Sequence, residues 1–341
     1  MKKLVIFVTA ILLLLAYATP ALAQPFDAAG FTVSARIPEN QKDSSSGYFN
    51  LLMEPGAQQV LRVDITNTKE RPLTVDIALR NASTNRNGVI EYLVDVMPDS
   101  TLKYPFETIA TAPSELTIPA GETKRLDVTL RMPRHGHEGV ILGGIVVTGR
   151  QDEAEITGMS INNVFSYVIG VKLTGSYSAV PADFELISVE PTLINYRSAV
   201  VANIRNGAPA IVRDAHVTAT IYRDGDTEPV LEMENTNVSM APNSIFPMST
   251  QWVEQTIAPG DYRMEMTLLN SGQSFAWTES FTISGNQAQE LNNRNLELAV
   301  AVSQTTNLLW WWIPLLLLMP ILLIFAFFIG KRNRERPQEN K

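Results

Sequence analysis

The chain has 341 residues, with 27 Lys and Arg against 35 Asp and Glu, three His and no Cys. The absence of Cys excludes disulfides, thiolate nucleophiles and Cys-ligated metals. Residues 24 to 307 carry 20 basic and 33 acidic side chains, a net charge of −13, which argues against nucleic acid or another polyanion held by general electrostatics.

The first 23 residues have the parts of a secretory signal peptide. Lys2 and Lys3 precede an apolar run of 13 residues, and the small-x-small site at Ala21 to Ala23 predicts cleavage before Gln24. The apolar run is shorter than the roughly 20 residues needed to cross a bilayer. We therefore expect an exported chain, with an uncleaved signal anchor as the alternative.

Residues 24 to 180 are predicted to form a first β-sandwich. Apolar and polar residues alternate at 61 to 65, 73 to 79 and 126 to 130, and period two indicates strands with one wet face. Turn residues such as Pro55-Gly56 separate these runs. The pattern is typical of an antiparallel immunoglobulin-like sandwich, with its closing strand at Tyr167 to Leu173.

A second β-rich series predicts another such sandwich at residues 181 to 285. Trp252 and Trp277 lie inside its predicted strands and are expected in its core. Residues 286 to 307 are rich in Asn, Gln and Thr and lack a core pattern. They predict a membrane-proximal stalk that is helical in part, through Leu291 to Val302.

Leu308 to Ile329 form a run of 22 uncharged residues, which predicts a transmembrane helix at 308 to 330. The basic tail at 331 to 341 places the C-terminus in the cytoplasm by the positive-inside rule. A buried helix of a soluble domain is the alternative. We expect a single-pass protein of the cell membrane whose bulk is extracellular, at the cell wall.

Catalytic and metal motifs are weak in this sequence. His135-Gly136-His137-Glu138 has metal-ligand residue types, because two imidazoles two apart on an extended segment point the same way. A polar turn explains them equally well, and spacing identifies no third ligand, so neither a metal nor another cofactor is predicted. No nucleophile elbow or phosphate loop is present, and we predict a protein that is not an enzyme. Paired glycosidase carboxylates have no fixed spacing, which keeps a hydrolase of cell-wall polymer as an alternative.

Two connections in the first predicted sandwich, residues 37 to 49 and 81 to 92, combine amides and hydroxyls with aromatic rings. Such groups suit sugar or peptide recognition, because rings stack on apolar faces while amides bond to hydroxyls. Local structure is the competing interpretation. Asn-Gly is a tight-turn dipeptide, and Tyr48 or Phe49 can begin a strand and pack inside.

The order of these segments resembles the WxL-interacting proteins of Gram-positive bacteria. The resemblance rests on Phe31 to Val33, Ile37 to Gln41, Gly47 to Leu51, Pro55-Gly56 and Asn81 to Tyr92. It implies a first domain of the peptidoglycan-binding type and a second of the host-binding type, beside partners that carry a WxL domain. The family fingerprint of the first domain, and hence the candidate binding set, is Asn40, Gln41, Tyr48, Phe49, Thr84, Asn85, Asn87 and Gly88.

The sequence thus predicts an all-β, membrane-anchored binding and scaffold protein of the cell surface. The resemblance implies that it associates with peptidoglycan and WxL-domain surface proteins, with host matrix proteins as a further partner. A wall-polymer hydrolase and a passive surface spacer are the alternatives.

Overall fold

The computed structural model describes residues 29–43, 45–150, 163–175, 180–252 and 256–295. The predicted signal peptide and the predicted transmembrane helix at Leu308–Ile329 lie outside these residues. Among the described residues, no helix is long and apolar enough to cross a membrane. The described part consists mainly of β-strands, as the sequence predicts.

The first sandwich is built from two sheets and a small hairpin. Its strands are β1 Phe31–Arg36, β2 Phe49–Leu52, β3 Gln58–Asn67, β4 Leu73–Asn81, β5 Ser83–Thr84, β6 Ile90–Glu91, β7 Ala110–Thr111, β8 Glu115–Ile118, β9 Thr123–Arg131, β10 Val140–Gly149 and β11 Ser166–Thr174. One sheet has the order β1-β3-β9-β7 and the other β2-β11-β10-β4-β8, while β5 and β6 pair separately. A one-turn helix, α1 Phe106–Ile109, precedes β7.

Period-two alternation places every second residue of these strands in the core. In β3, Leu61, Val63 and Ile65 are fully buried, while Arg62 is exposed. Apolar side chains from both sheets form one cluster with the aromatic rings of Phe31, Phe49 and Phe106. Other members of this core include Leu51, Leu61, Val63, Ile65, Val75, Ile118, Leu126, Val128, Leu130, Ile145, Val147, Val171 and Leu173. Burial of this surface is the main stabilising contribution, since the chain has no disulfide.

One strand pair departs from the predicted antiparallel arrangement. β2 runs parallel to β11, with Phe49 opposite Val171 and Leu51 opposite Leu173. β11 is antiparallel to β10 and is the last strand of the first sandwich in chain order, where the sequence predicts its closing strand. β2 and β11 are joined through most of the sandwich rather than by a hairpin, so no short turn forces them to be antiparallel.

The second sandwich also has two sheets. Its strands are β12 Phe184–Ile194, β13 Arg197–Asn206, β14 Val212–Arg223, β15 Pro229–Met240, β16 Ser244–Gln251, β17 Gly260–Asn270 and β18 Gln273–Ile283. The sheet orders are β12-β13-β16 and β15-β14-β17-β18. Residues 176–179, between the two sandwiches, lie outside the described part, so the division near residue 180 stays a prediction.

The two tryptophans of this sandwich differ in their surroundings. Trp252 is buried in the core, edge-on to Tyr262, as expected, but it follows β16 rather than lying inside a strand. Trp277, in the edge strand β18, is only partly buried and stacks on Phe275. An edge strand has a neighbour on one side only, which leaves part of the indole uncovered.

The start of the predicted stalk must be corrected. Residues Gly285–Arg294 form helix α2, which the Ser284 side chain caps by accepting a hydrogen bond from the backbone N–H of Gln287. Ala288 and Leu291, three positions apart on one helix face, are buried in the second core. The helix therefore belongs to the sandwich, and it begins and ends earlier than the predicted helix at Leu291 to Val302. A stalk can start only after Asn295, outside the described residues.

Candidate functional site

The first motif, residues 37 to 49, is held in shape by side-chain amides. The side chains of Asn40 and Gln59 donate to each other at 2.9 and 2.8 Å. Gln41 accepts from the backbone N–H of Asn50 at 2.9 Å and donates to the carbonyl of Tyr48 at 2.8 Å. These amides satisfy local polar groups, so Asn40 and Gln41 build the loop that presents Tyr48.

Tyr48 and Phe49 point to opposite sides of the sheet, because Phe49 begins strand β2. Phe49 is fully buried in the core, whereas Tyr48 is 39% exposed. The sequence left both orientations open. The structure assigns packing to Phe49 and leaves the Tyr48 ring available at the surface.

The second motif, residues 81 to 92, contains the hairpin β5–β6, and Asn85 closes the turn of this hairpin. The Asn85 side-chain oxygen accepts from the backbone N–H groups of Asn87 at 3.0 Å and Val89 at 3.2 Å. Gly88 has a φ of +68°, a conformation that favours glycine. Asn87 is exposed at the turn. Asn85 and Gly88 are thus required by the turn itself.

The same hairpin docks on the second sandwich through a buried hydrogen-bond network. The Thr84 hydroxyl lies 2.7 Å from that of Ser244 and accepts from the backbone N–H of Ala241 at 2.9 Å. The Ser244 hydroxyl donates to the Ala241 carbonyl at 2.8 Å, so Thr84 donates to Ser244. Thr84 is 5% exposed. It holds the two sandwiches together and is not available to an external ligand.

Gly88 adds a second contact between the hairpin and β15. Its carbonyl accepts from the backbone N–H of Ser239 at 2.7 Å. A β-carbon on Gly88 would lie 3.0 Å from the side chain of Val238. The turn residues of the motif therefore also fit the partner sandwich.

An ion pair joins the sandwiches elsewhere in this junction. Arg205 donates to Asp99 at 3.0 Å, and the Asp99 side chain is only 4% exposed. Burial by itself would raise the pKa of Asp99, but hydrogen bonds from Thr101 and Arg205 outweigh it and leave that pKa below its ordinary value. Asn243 extends the network by donating to the carbonyls of Thr101 and Gly207.

Tyr92, at the end of the second motif, packs against the backbone of Gly144 and Gly170 in the first sandwich. A β-carbon on Gly144 would lie 2.9 Å from the Tyr92 ring, so only glycine leaves room for the ring in this position. Gly144 pairs with Gly170 on the neighbouring strand. The β-carbon position of Gly170 is 3.8 Å from the Tyr92 hydroxyl and 3.7 Å from the β-carbon of Tyr48. Because neither glycine has a side chain, Tyr48 and Tyr92 both approach the backbone at this pair.

Together these groups form a groove of about 400 Å³ at the junction, which we call the tyrosine groove. Its lining comes from both sandwiches and consists of Tyr48, Val89, Ile90, Tyr92, Leu142, Gly170, Val171, Lys172, Ile211, Arg213 and Ser239. Burial, with a smaller contribution from Tyr48, raises the pKa of Tyr92 to about 12, so its hydroxyl keeps its proton at neutral pH. The groove offers aromatic faces, hydroxyls and cations.

The expectation that His135 and His137 lie on an extended segment is wrong. Gly136 has a φ of +73°, and its N–H donates to the carbonyl of Pro133, which makes the segment a turn. Nε2 of His137 is 3.3 Å from the carbonyl oxygen of Leu173, and burial lowers the pKa of His137. Within the described ranges, no three metal-ligand side chains form a group.

Comparison with known families matches two domain descriptions in order. Residues 31–149 match the peptidoglycan binding domain of the WxL Interacting Protein, and residues 156–293 match the host binding domain of the same protein. Both descriptions are of binding domains, which defines the class as a surface binding protein. The two matches cover well over half of the sequence, and the chain belongs to the WxL-interacting protein family, as the sequence predicts.

The match to the host binding domain begins before β11, a strand that pairs with β10 in the first sandwich. The division between the two matches therefore does not coincide with the division between the sheets. Arg213 and Lys172, which line one groove, both fall inside this match, although they come from different sandwiches.

A search of solved structures finds similarity to bacterial fimbrial chaperones. A chaperone–tip adhesin complex of CFA/I fimbriae is 11% identical, covers 74% of this chain and 99% of its own, and has a TM-score of 0.30. The YadV chaperone is 11% identical, with coverages of 74% and 100% and a TM-score of 0.28. The CsuC-CsuE complex of Acinetobacter baumannii is 10% identical, with coverages of 64% and 89% and a TM-score of 0.29. Likeness at this level carries no argument about the present chain. A comparison with curated proteins finds no match.

Sequence reasoning singled out Tyr48 but not three other groups that line the groove. Tyr92 ends a motif stretch and was visible as an aromatic residue beside amides. Lys172 and Arg213 had no signal, since single cations on the wet face of a strand are ordinary. Only the docking of the two sandwiches brings them together.

Proposed function

We propose that the protein is a membrane-anchored binding and scaffold protein of the cell surface, which associates with peptidoglycan through the tyrosine groove. The observation that carries the proposal is that Tyr48 and Tyr92, one from each family motif, meet in a single groove. WxL-domain surface proteins are its proposed protein partners, and host matrix proteins are proposed ligands of the second sandwich. The proposed location is the cell membrane, with both sandwiches outside.

The groove has the chemistry that sugar recognition needs. Aromatic rings pack on the apolar faces of sugar rings, and phenol hydroxyls and backbone amides bond to sugar hydroxyls. Tyr48 is partly exposed beside Gly170, which adds no side chain that would fill the groove. The Gln41 side chain bonds to the backbone of Tyr48 and Asn50, and a residue held in this way before binding loses less entropy when the ligand binds.

We propose no catalytic step. Glycoside hydrolysis requires two carboxyl groups on either side of the scissile bond. The described lining of the tyrosine groove contains no Asp or Glu. The matched families are both described as binding domains, which supports a binding role over the hydrolase alternative.

The test is co-sedimentation of the full-length protein, purified in detergent, with insoluble Gram-positive sacculi. Tyr48→Ala removes the exposed ring and is expected to lower the apparent affinity about two- to twelvefold, since such an aromatic contact contributes about 0.5 to 1.5 kcal/mol. Tyr196→Ala removes a tyrosine that is 62% exposed on the second sandwich, and serves as the control. Equal losses for both variants, or no retention of the wild type, would contradict the proposal.

Two further assays separate the alternatives. Sugars released into the supernatant of the same tubes would identify a hydrolase. For the protein partners, purified WxL-domain proteins are passed over the immobilised full-length chain. Absence of retention at micromolar concentrations would count against the scaffold role and leave the peptidoglycan proposal standing.

A further inference from the structure

Cationic side chains from separate parts of the chain converge on the tyrosine groove. Lys172 lies on β11 of the first sandwich and Arg213 on β14 of the second, and both line the groove. Burial lowers the pKa of Lys172, and the positive charges of Lys42 and Arg213 lower it further. Arg213 also acts on the Tyr92 hydroxyl.

These cations have no carboxylate partner in the described part of the chain. Neither Lys172 nor Arg213 forms a salt bridge with a described residue, and the groove lining there contains no acidic side chain. Two acidic side chains of the motifs have hydrogen-bond partners of their own. Asp43 accepts from Ser45 and Ser46, and Glu91 accepts from Asn85.

An unpaired cluster of like charge is unfavourable in the free protein. Partial burial penalises each charge, and mutual repulsion adds to that cost. The cluster also runs against the net charge of −13 on residues 24 to 307, so it is not part of a generally basic surface. Such a cluster becomes favourable when an anion enters, because hydrogen bonds to charged groups in a partly desolvated site are strong.

We propose that the tyrosine groove binds a carboxylate of the peptidoglycan stem peptide at Lys172 and Arg213, while the adjoining sugar packs against Tyr48. This inference rests on the proposed function and names the ligand group that the site recognises. Peptidoglycan carries sugar rings and peptide carboxylates on one repeating unit, which matches aromatic rings and cations on one groove. The planar guanidinium of Arg213 can bind a carboxylate through two parallel hydrogen bonds.

The position of the two cations ties recognition to the junction. Lys172 and Arg213 belong to different sandwiches, so the carboxylate is held only while the sandwiches stay docked. The Thr84 and Ser244 network, which fixes the docking, is therefore a positioning element for this site rather than a contact to the ligand.

The experiment uses the full-length protein in detergent with three preparations of sacculi. One is untreated, one has its carboxyl groups converted to amides by carbodiimide coupling, and one is stripped of phosphodiester polymers with hydrofluoric acid. We expect amidation to weaken binding about tenfold or more, the size of one lost charge-assisted contact, and stripping to leave it unchanged. The double variant Lys172→Gln/Arg213→Gln is expected to bind untreated sacculi as weakly as the wild type binds amidated ones, with no further loss on amidation.

A matched control removes the same two charges elsewhere. Lys124→Gln/Arg131→Gln changes exposed residues of β9 outside the groove, and it is expected to keep wild-type binding. The melting temperature of Lys172→Gln/Arg213→Gln is expected to stay the same or rise, since the change relieves repulsion. A loss of binding that accompanied a lower melting temperature would instead mark a structural role and overturn the inference.

The possible failures are distinguishable. Wild-type retention that amidation does not change overturns this inference and leaves peptidoglycan binding in place. Retention lost on acid stripping assigns the cations to a phosphate polymer, which also overturns it. No retention on any preparation overturns both the inference and the proposed function.

Discussion

The junction between the sandwiches has two parts with opposite properties. In the docking network, Thr84, Ser244 and Asp99 are buried, and each has its hydrogen-bond partners within the protein. In the tyrosine groove, Tyr48 is open to solvent, and Lys172 and Arg213 have no counter-ion among the described residues. Polar groups that are satisfied within the protein stabilise the fold, whereas unsatisfied ones remain available for a ligand. The first motif contributes Tyr48 to the groove, and the second contributes Thr84 to the docking network and Tyr92 to the groove.

The largest effect is expected in the docking network. Thr84→Val keeps the shape of the side chain but leaves the buried N–H of Ala241 without its acceptor, which costs about 2 to 3 kcal/mol. Thr74→Val, at an exposed hydroxyl pair with Thr117, is the control and is expected to change stability by less than about 0.5 kcal/mol. Urea denaturation measures both. Equal effects at the two positions would show that the buried Thr84 hydroxyl contributes no more to stability than an exposed one.

Replacement of Gly144, beneath the Tyr92 ring, tests whether the position of that ring matters. Gly144→Ala places a methyl group 2.9 Å from the Tyr92 ring, and overpacking of this kind costs about 1 to 2 kcal/mol. We also expect weaker retention on sacculi, because the ring must move. Gly285→Ala, in open space at the start of α2, is the control for glycine replacement. Undiminished retention of Gly144→Ala would show that the position of Tyr92 does not matter for binding.

Asp99 makes the junction sensitive to acid. Its pKa is lower in the folded than in the unfolded chain, so its stabilising contribution is fully present above the unfolded value of about 3.9 and is lost as the pH falls through the folded value. Asp99→Asn is expected to lower stability by about 1 to 2 kcal/mol at pH 7, because Arg205 keeps only the exposed Glu185. The difference in the free energy of unfolding between Asp99→Asn and the wild type should become smaller below pH 4.

Denaturation at pH 7 and pH 3 measures this dependence. Asp76→Asn, which weakens a pair with Arg150 that is half exposed on both sides, should change stability by less than about 0.5 kcal/mol at pH 7. If the difference in the free energy of unfolding between Asp99→Asn and the wild type is the same at both pH values, the charge of Asp99 does not stabilise the fold.

The smallest effect distinguishes two neighbouring motif residues. Asn85→Ala removes the acceptor of two backbone N–H groups and is expected to cost about 1 kcal/mol. Asn87→Ala affects an exposed side chain and should change stability by less than about 0.5 kcal/mol. Thermal melting compares them. A larger loss for Asn87→Ala would mean that its side chain, and not that of Asn85, closes the turn.

Alternation of apolar residues was sufficient to predict most strands, because the buried face of a strand is visible in the sequence of that strand alone. The parallel pairing of β2 with β11 was not predictable in the same way, since it depends on residues that are far apart in the chain. Helix α2 was misassigned for another reason. It is polar except at Ala288 and Leu291, although Ser284 was a visible capping signal.

The candidate site was predictable only as a pair of motifs. The sequence identified Asn85 and Gly88 as residues of a turn, which is how the structure uses them. It had no means of showing that Thr84 meets Ser244, 160 residues away. Contacts between sheets that are distant in the sequence leave no periodic pattern, so the junction, and with it the groove, appears only in three dimensions.

The glycine at position 144 has a consequence for other chains of the family. The Tyr92 ring can lie on the sheet only where no side chain projects from this position. An alignment column is therefore enough to sort relatives: a chain with a larger residue here cannot hold a tyrosine in the same place, even if both motifs are intact. Comparing that column with the wall chemistry of the species that carry each chain would show whether ligand choice diverged through one backbone position.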